Sequence, residues 1–169
     1  MARSTSTFAG NRSMLSIFNA SASKVIRVYR IWSVNSNRTE LTGAITLMEI
    51  QMLVLRFGSG TAVNVTKMDS SAAALDASVY VEYDNGANLT AGNTVRRVYQ
   101  ATDELVPNGW ATQFLLKFYP LGLIWDAGYG DDNVQPLTLR QDEGVHVKNT
   151  GAATDGVFQF CMEFTQSAS

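Results

Sequence analysis

A single cysteine and a single histidine are all that these 169 residues offer to thiol or imidazole chemistry. One thiol, Cys161, forms no internal disulfide, so oxidative stapling is excluded. Alternating with Phe160 and Met162, it reads as a small core residue. One imidazole, His146, cannot supply the His-rich ligand cluster of a cupin-type metal centre. Any Ser-His-Asp or Cys-His site would have to be built on that residue, and no serine or cysteine around it stands in a nucleophile elbow. His146 therefore reads as an outward-facing strand residue, opposite the core side carried by Val145 and Val147. Charge is also scarce: Asp, Glu, Lys and Arg make up 17% of the chain, against about 25% in ordinary globular domains. A net charge of -2 and a pI near 5.3 leave no basic excess to displace counterions, which argues against nucleic-acid binding. No apolar run approaches the roughly eighteen residues of a membrane span. Met1 to Asn11 is polar and lacks the apolar stretch of a secretory signal, so folding in a cytosol is the default expectation.

What remains is a chain rich in Ser, Thr, Asn, Ala and Gly with 46% hydrophobic residues. That apolar content and length suit one folded domain with its own core. A neutral polar surface of this kind suits a protein packed against neighbours.

Residues 1 to about 12 are small and polar, and residues 1–22 are expected to be a flexible N-terminal arm. Met14 to Phe18 reads as a short strand or as a clasp onto a partner. Arg3, Arg12, Lys24, Arg27 and Arg30 all precede the first acid, Glu40. A basic arm can touch an acidic partner; the plainer reading puts Lys24, Arg27 and Arg30 on the solvent side of a strand. Residues 23–169 are expected to form one β-sandwich. KVIRVYRIWSV (Lys24 to Val34) is apolar on both alternating faces, as in a strand covered on two sides. AITLMEIQMLVLRF (Ala44 to Phe57) has helix-forming composition and length but reads as a long strand beside strand neighbours. Further strands are expected at Ala62 to Lys67, Val79 to Tyr83, Thr94 to Ala101 and Ala111 to Phe118. One helical turn is expected over Asp69 to Ala77, capped by Asp69 or Ser70. Turn signals at Asp84-Asn85-Gly86 and Pro107-Asn108-Gly109 separate several of these runs. The C-terminal unit runs from a Gly/Asp loop into a strand over Gln135 to Arg140. A tight turn at Asp142-Glu143-Gly144, a strand over Val145 to Lys148, a long hairpin tip and a strand over Gly156 to Thr165 follow. The total is about 8–10 strands, an all-β, jelly-roll-like antiparallel sandwich.

Candidate chemistry is sparse. Asp126, Asp131 and Asp132 cluster around Gly128 and Gly130, and a hard cation such as calcium takes oxygen ligands from loops of this composition. The spacing does not match an EF-hand, and Asp or Asn beside Gly also builds ordinary turns, so no metal or other cofactor is expected. The pairs Asp103-Glu104 and Asp142-Glu143 point to opposite faces if placed on strands and do not suit paired carboxylate catalysis. Trp125 and Tyr129 flank the glycine loop and are the aromatics expected to be exposed, as a sugar platform or an interface anchor. With Arg3, Phe8 and Arg12 of the arm they form the expected contact set. Asn-x-Ser/Thr sequons at Asn11, Asn19, Asn37, Asn64 and Asn88 read as a consequence of composition.

The stretches KVIRVYRIW (Lys24 to Trp32), WDAGYGDDNVQPLTLR (Trp125 to Arg140), EGVHVKNTG (Glu143 to Gly151) and MEFT (Met162 to Thr165) resemble a group of small structural proteins of tailed bacteriophages. The resemblance spans most of the chain after about residue 22. It implies a jelly-roll decoration or cement protein on the outer capsid, bound to the major capsid protein as a homotrimer, and carries no catalytic residues. The expected product is then a non-enzymatic virion protein made in the host cytoplasm, its arm ordering against the shell. Alternatives are a receptor- or glycan-binding module of a tail or fibre, or a single-jelly-roll shell protein in its own right. An enzymatic β domain ranks last, because no acid/base constellation is present.

Overall fold

The computed structural model describes residues 1–7, 10–35, 45–57, 60–84, 89–101, 122–128, 135–151 and 157–169. Among these residues there are eleven strands and no helix. In chain order they are β1 (Ala2–Thr7), β2 (Arg12–Asn19), β3 (Lys24–Asn35), β4 (Ile45–Arg56), β5 (Thr61–Ala62) and β6 (Val79–Tyr83). Then come β7 (Leu89–Ala101), β8 (Leu123–Asp126), β9 (Leu137–Leu139), β10 (Glu143–Asn149) and β11 (Val157–Ala168). The expected all-β sandwich is the observed fold. The expected strand over Ala111 to Phe118 lies outside the described residues.

All pairings are antiparallel. One sheet, here sheet A, runs β1-β11-β3-β8, with β9 also on β3. The other, sheet B, runs β5-β6-β2-β10-β4-β7. Apart from β5, β6 and β9, the partners are nested: β1 with β11, β2 with β10, β3 with β8, and β4 with β7. These pairs alternate between sheets A and B. A long hairpin rolled so that successive strand pairs fall in opposite layers is a jelly roll.

Two expectations change as a result. The strands around the C-terminal turns do not form hairpins, because β9 and β11 lie in sheet A and β10 lies in sheet B. Residues 1–22 are not a free arm: β1 lies along β11, and β2 is a central strand of sheet B. The small polar residues that suggested an arm are what an outer strand of the roll accepts. Ala2 and Ser4 point inward where little room remains, and both are buried. The Ser4 hydroxyl donates to the Met14 carbonyl at 2.9 Å. In β2, Met14, Leu15 and Ile17 are wholly buried.

The core between the sheets is built by alternation. Sheet A supplies Phe158, Phe160 and Met162 of β11, Ile26, Val28 and Ile31 of β3, Ile124 and Leu139; sheet B supplies Leu15, Ile17, Val145, Val147, Ile50 and Val81. In β3 strict alternation would put Val28 and Ile31 on opposite faces. The register with β11 passes from Arg30↔Glu163 to Val28↔Phe164 and leaves Tyr29 over. This bulge turns both Val28 and Ile31 inward. Cys161 is buried on the opposite face from Phe160 and Met162, beside Arg3 and Trp32 in the register.

One side of the sandwich is closed. The segment after β4 pairs with β6 through Thr61 and Ala62, then reaches β1 through the bridge Ala2↔Val65. The Met1 amino group donates to the Thr66 carbonyl, and the Thr66 amide donates to the Met1 carbonyl, each at 2.9 Å. Beyond Met1 the chain lies against the end of β11, where Gln166 accepts from the Asp76 amide and donates to the Ala74 carbonyl. The expected helical turn over Asp69 to Ala77 is not formed; the Ala72 amide closes a turn on the Asp69 carbonyl at 3.1 Å, and the Asp69 carboxylate accepts from the Ser71 amide at 2.8 Å.

Gly144 of β10 marks the tightest packing in sheet B. A Cβ there would lie 2.6 Å from the Ile17 carbonyl oxygen and 2.7 Å from the Phe18 ring. Gly92 of β7 is exposed, and a Cβ there would meet mainly the flexible end of Val54. Gly144→Ala is therefore expected to cost about 1–3 kcal/mol through overpacking, and Gly92→Ala less than that. Urea denaturation of the two variants, compared with the parent at equal m-value, checks the difference.

Candidate functional site

The densest polar arrangement among the described residues lies on the face of sheet B that points away from the sandwich core. Register places three cross-strand rows there. The middle row is Glu82 (β6), Ser16 (β2), His146 (β10), Gln51 (β4) and Thr94 (β7). On one side lies Ser13, Lys148, Glu49 and Arg97. On the other lies Tyr80, Phe18, Gly144, Leu53 and Ala91. Ser13, Ser16, Phe18, Glu49, Leu53, Glu82, Gly144 and His146 are all buried. The central strands of sheet B are thus covered on both faces, so every polar group there needs a partner.

Most have one. The Arg97 guanidinium donates from Nε to Glu49 Oε1 at 2.7 Å. The Gln51 amide nitrogen donates to Glu49 Oε2, so the Gln51 carbonyl oxygen is turned to His146. Nε2 of His146 lies 3.1 Å from that oxygen. An amide oxygen only accepts, so His146 carries its proton on Nε2. Nδ1 is then a bare lone pair, buried without a hydrogen-bond partner among the described residues, and the Ser13 hydroxyl is likewise unpartnered among them. Arg56, at the end of β4, grips Glu82 with both Nε (3.0 Å) and Nη2 and lies 3.8 Å over the Tyr80 ring.

The electrostatics follow from this geometry. Burial, helped by the like charge of Lys148, pushes His146 down from 6.5 to about 4. Burial alone would raise the Glu49 carboxyl; hydrogen bonds from Arg97, Gln51 and Thr94, with the Arg97 charge, outweigh it and hold Glu49 below the usual range. The bonds to Glu82 raise Arg56. On sheet A burial raises the Cys161 thiol, which leaves it a poor nucleophile. The buried neutral imidazole and the ion-paired carboxylates Glu49 and Glu82 link neighbouring strands of sheet B.

The expected site residues do not converge. Trp125, expected to be exposed, lies in β8 opposite Ile31 and packs against the core, with its indole nitrogen buried and unpartnered. The apolar run LIW places it in β8, ahead of the glycine loop. Asp126 follows on the outer face of sheet A. There it accepts from the Arg30 Nε at 2.9 Å and from the Gly128 amide at 2.9 Å. The Gly128 amide, then Arg30, hold its carboxyl below the usual range. Asp131, Asp132, Tyr129 and Phe8 lie outside the described residues. Arg3 is exposed on β1, and Arg12 is exposed and paired with Asp84. Arg27 bonds the Ser167 hydroxyl at 2.7 Å. His146 does face away from Val145 and Val147, as expected, but it is 2% exposed rather than solvent-facing. The sequon at Asn19 is closed to modification: its amide donates to the Lys24 and Leu139 carbonyls and accepts from the Ser21 amide.

Large apolar side chains concentrate at the end of β4 and on β7. Val54, Leu55 and Phe57 are about half exposed, and Tyr99 is 76% exposed. Alternation alone puts Val54 and Leu55 on opposite faces of the strand. The register of β4 with β7 slips three times between Ile50 and Leu55, and this end of the ribbon leaves both in solvent.

Compared with known protein families, curated proteins and solved structures, the chain finds no significant match.

The Arg56–Glu82 pair gives a direct test of the covered face. Removing one partner leaves the other charge buried, and Arg56→Met is expected to cost about 3–5 kcal/mol. Arg56→Met combined with Glu82→Leu is expected to recover most of that loss. A double-mutant cycle by chemical denaturation measures both.

Proposed function

We propose that this chain is a non-enzymatic virion structural protein, a jelly-roll subunit that binds and stabilises a phage capsid as a decoration protein. The observation that carries this reading is the nested pairing of eight strands, β1 to β4 with β11, β10, β8 and β7. Rolls of this topology recur in viral shells, and also in lectins and cupins, so the fold enters as analogy. Two features of the chain support the shell reading over the others. Its buried polar groups are committed to holding sheet B, which leaves no acid/base pair or ligand set among the described residues. Val54, Leu55 and Phe57 stand half exposed together at the end of β4, where a neighbour can cover them. The resemblance of the Trp125 to Arg140 and Glu143 to Gly151 segments to phage structural proteins points the same way.

In this reading the partners are the major capsid protein and further copies of the chain, as a homotrimer, and the location is the capsid surface. A closed two-sheet slab braces its neighbours by shape, burying apolar edges between copies. The glycan-binding alternative loses its main platform residue, because Trp125 packs on the core. Part of the mechanism also changes. Residues 1–20 contain β1 and β2, so their deletion would remove structural strands rather than detach a tether.

Mixing the purified full chain with capsids that lack it provides the test. Co-sedimentation at a fixed ratio to the capsid protein, with raised thermal stability of the shell, is the expected result. Failure to bind capsids, together with recovery of the chain from tails or specific binding on a glycan array, would replace this reading.

A further inference from the structure

We propose that His146 is an acid sensor built into sheet B, a buried imidazole whose protonation loosens the central strands. The proposal stands on its surroundings. His146 sits mid-strand in β10, between Ser16 of β2 and Gln51 of β4. Its Nε2 proton is committed to Gln51, whose own amide is committed to Glu49. A second proton has to go to Nδ1, which is buried and has no hydrogen-bond partner among the described residues.

The charged groups of the surrounding strands offer no relief. From β4, Glu49 is engaged by Arg97 and Gln51, and Arg56 is engaged by Glu82 of β6. From β7, Arg97 is spent on Glu49. From β10 itself, Lys148 adds a like charge, while β2 contributes only the neutral Ser13 and Ser16. An imidazolium at this point must either break an existing ion pair or open the face to water.

The direction of the effect is fixed by linkage. In the unfolded chain a histidine takes up its proton near pH 6.5; in the fold it does so only near pH 4. Above pH 6.5 both states are neutral and the fold has its full stability. Between those values the unfolded state alone holds the proton, so stability falls as pH falls. The carboxylate pairs belong to a lower range, since Glu49 and Asp126 are held below their ordinary values. Mild acid therefore acts through the imidazole before it acts through the carboxylates.

Because the chain has one histidine, its ring resonances are identifiable in the unmodified protein. NMR of imidazole-labelled full-length protein is expected to show a neutral ring protonated on Nε2 down to about pH 5. The folding constant, from urea denaturation, is expected to fall about tenfold per pH unit between pH 6 and 4.5. His146→Gln, which keeps a donor toward Gln51 and cannot take up a proton, is expected to remove that slope. A native ring that titrates near 6.5 would overturn the proposal, as would an unchanged slope in His146→Gln. If the variant does not fold, the titration of the parent protein decides.

Discussion

Eight of the eleven described strands pair with their mirror images about the middle of the sequence, and that nesting constrains everything else. The first strand has to find the last, β1 on β11, before sheet A has an edge. The second has to find the second-last, β2 on β10, before sheet B has a centre. Such pairings are among the most distant the sequence permits, and their loop-closure entropy is lost before the contacts form. The roll also limits open edges. The segment from Thr61 to Thr66 links β6 to β1 and closes one side. Among the described residues β7 ends sheet B on the other side, and it carries the means by which natural edges resist further pairing. Its register with β4 is interrupted by bulges, and Arg96 and Arg97 stand mid-strand.

Two-sided burial explains the polar rows of sheet B. A strand covered on one face can leave its other face to water. The centres of β2 and β10, and the stretch of β4 beside them, are covered on both, so the face away from the sandwich must be dry or internally satisfied. The chain does some of each, with Phe18 and Leu53 in one row and His146, Gln51, Glu49 and Arg97 linked through the next two. The polar linkage adds specificity to cohesion. Side chains alternate with a period of two, so a slip of one residue would carry His146 and Glu49 into the apolar core. Partners reaching across three strands thus hold the register that the apolar face alone leaves to shape.

The strands were legible in the sequence because alternation and turn residues are local signals. Val79–Tyr83 and the stretch Ile45–Arg56 lie where the apolar pattern puts them, and the helical composition of the latter yields to its strand neighbours. What depends on distant partners was not legible. Ser/Thr-rich residues 1–19 look like a tether until β11 and β10 are in place beside them. The bulge at Tyr29, which turns both Val28 and Ile31 inward, is set by the register with β11 and has no signature of its own. Trp125 looked exposed because a glycine loop follows it, yet the preceding Leu123 and Ile124 carry it into a strand. His146 was placed on the correct face; its burial could not be inferred, since alternation tells which way a side chain points and not what lies above it.

The same burial bears on how such a molecule acts. A reactive site needs a group whose proton or lone pair meets solvent or substrate. Here the one imidazole is sealed beneath its neighbours, the one thiol is buried with its proton held more tightly, and Glu49, Glu82 and Asp126 are fixed by Arg97, Arg56 and Arg30. These groups have been used to make a thin, two-layer slab rigid. The apolar side chains left over at the end of β4 and along β7 are the part of the surface where solvent exposure is unfavourable and a neighbour would relieve it. Ion pairs that tie neighbouring strands, and apolar side chains left in solvent, are the physical ground on which a role by contact is proposed.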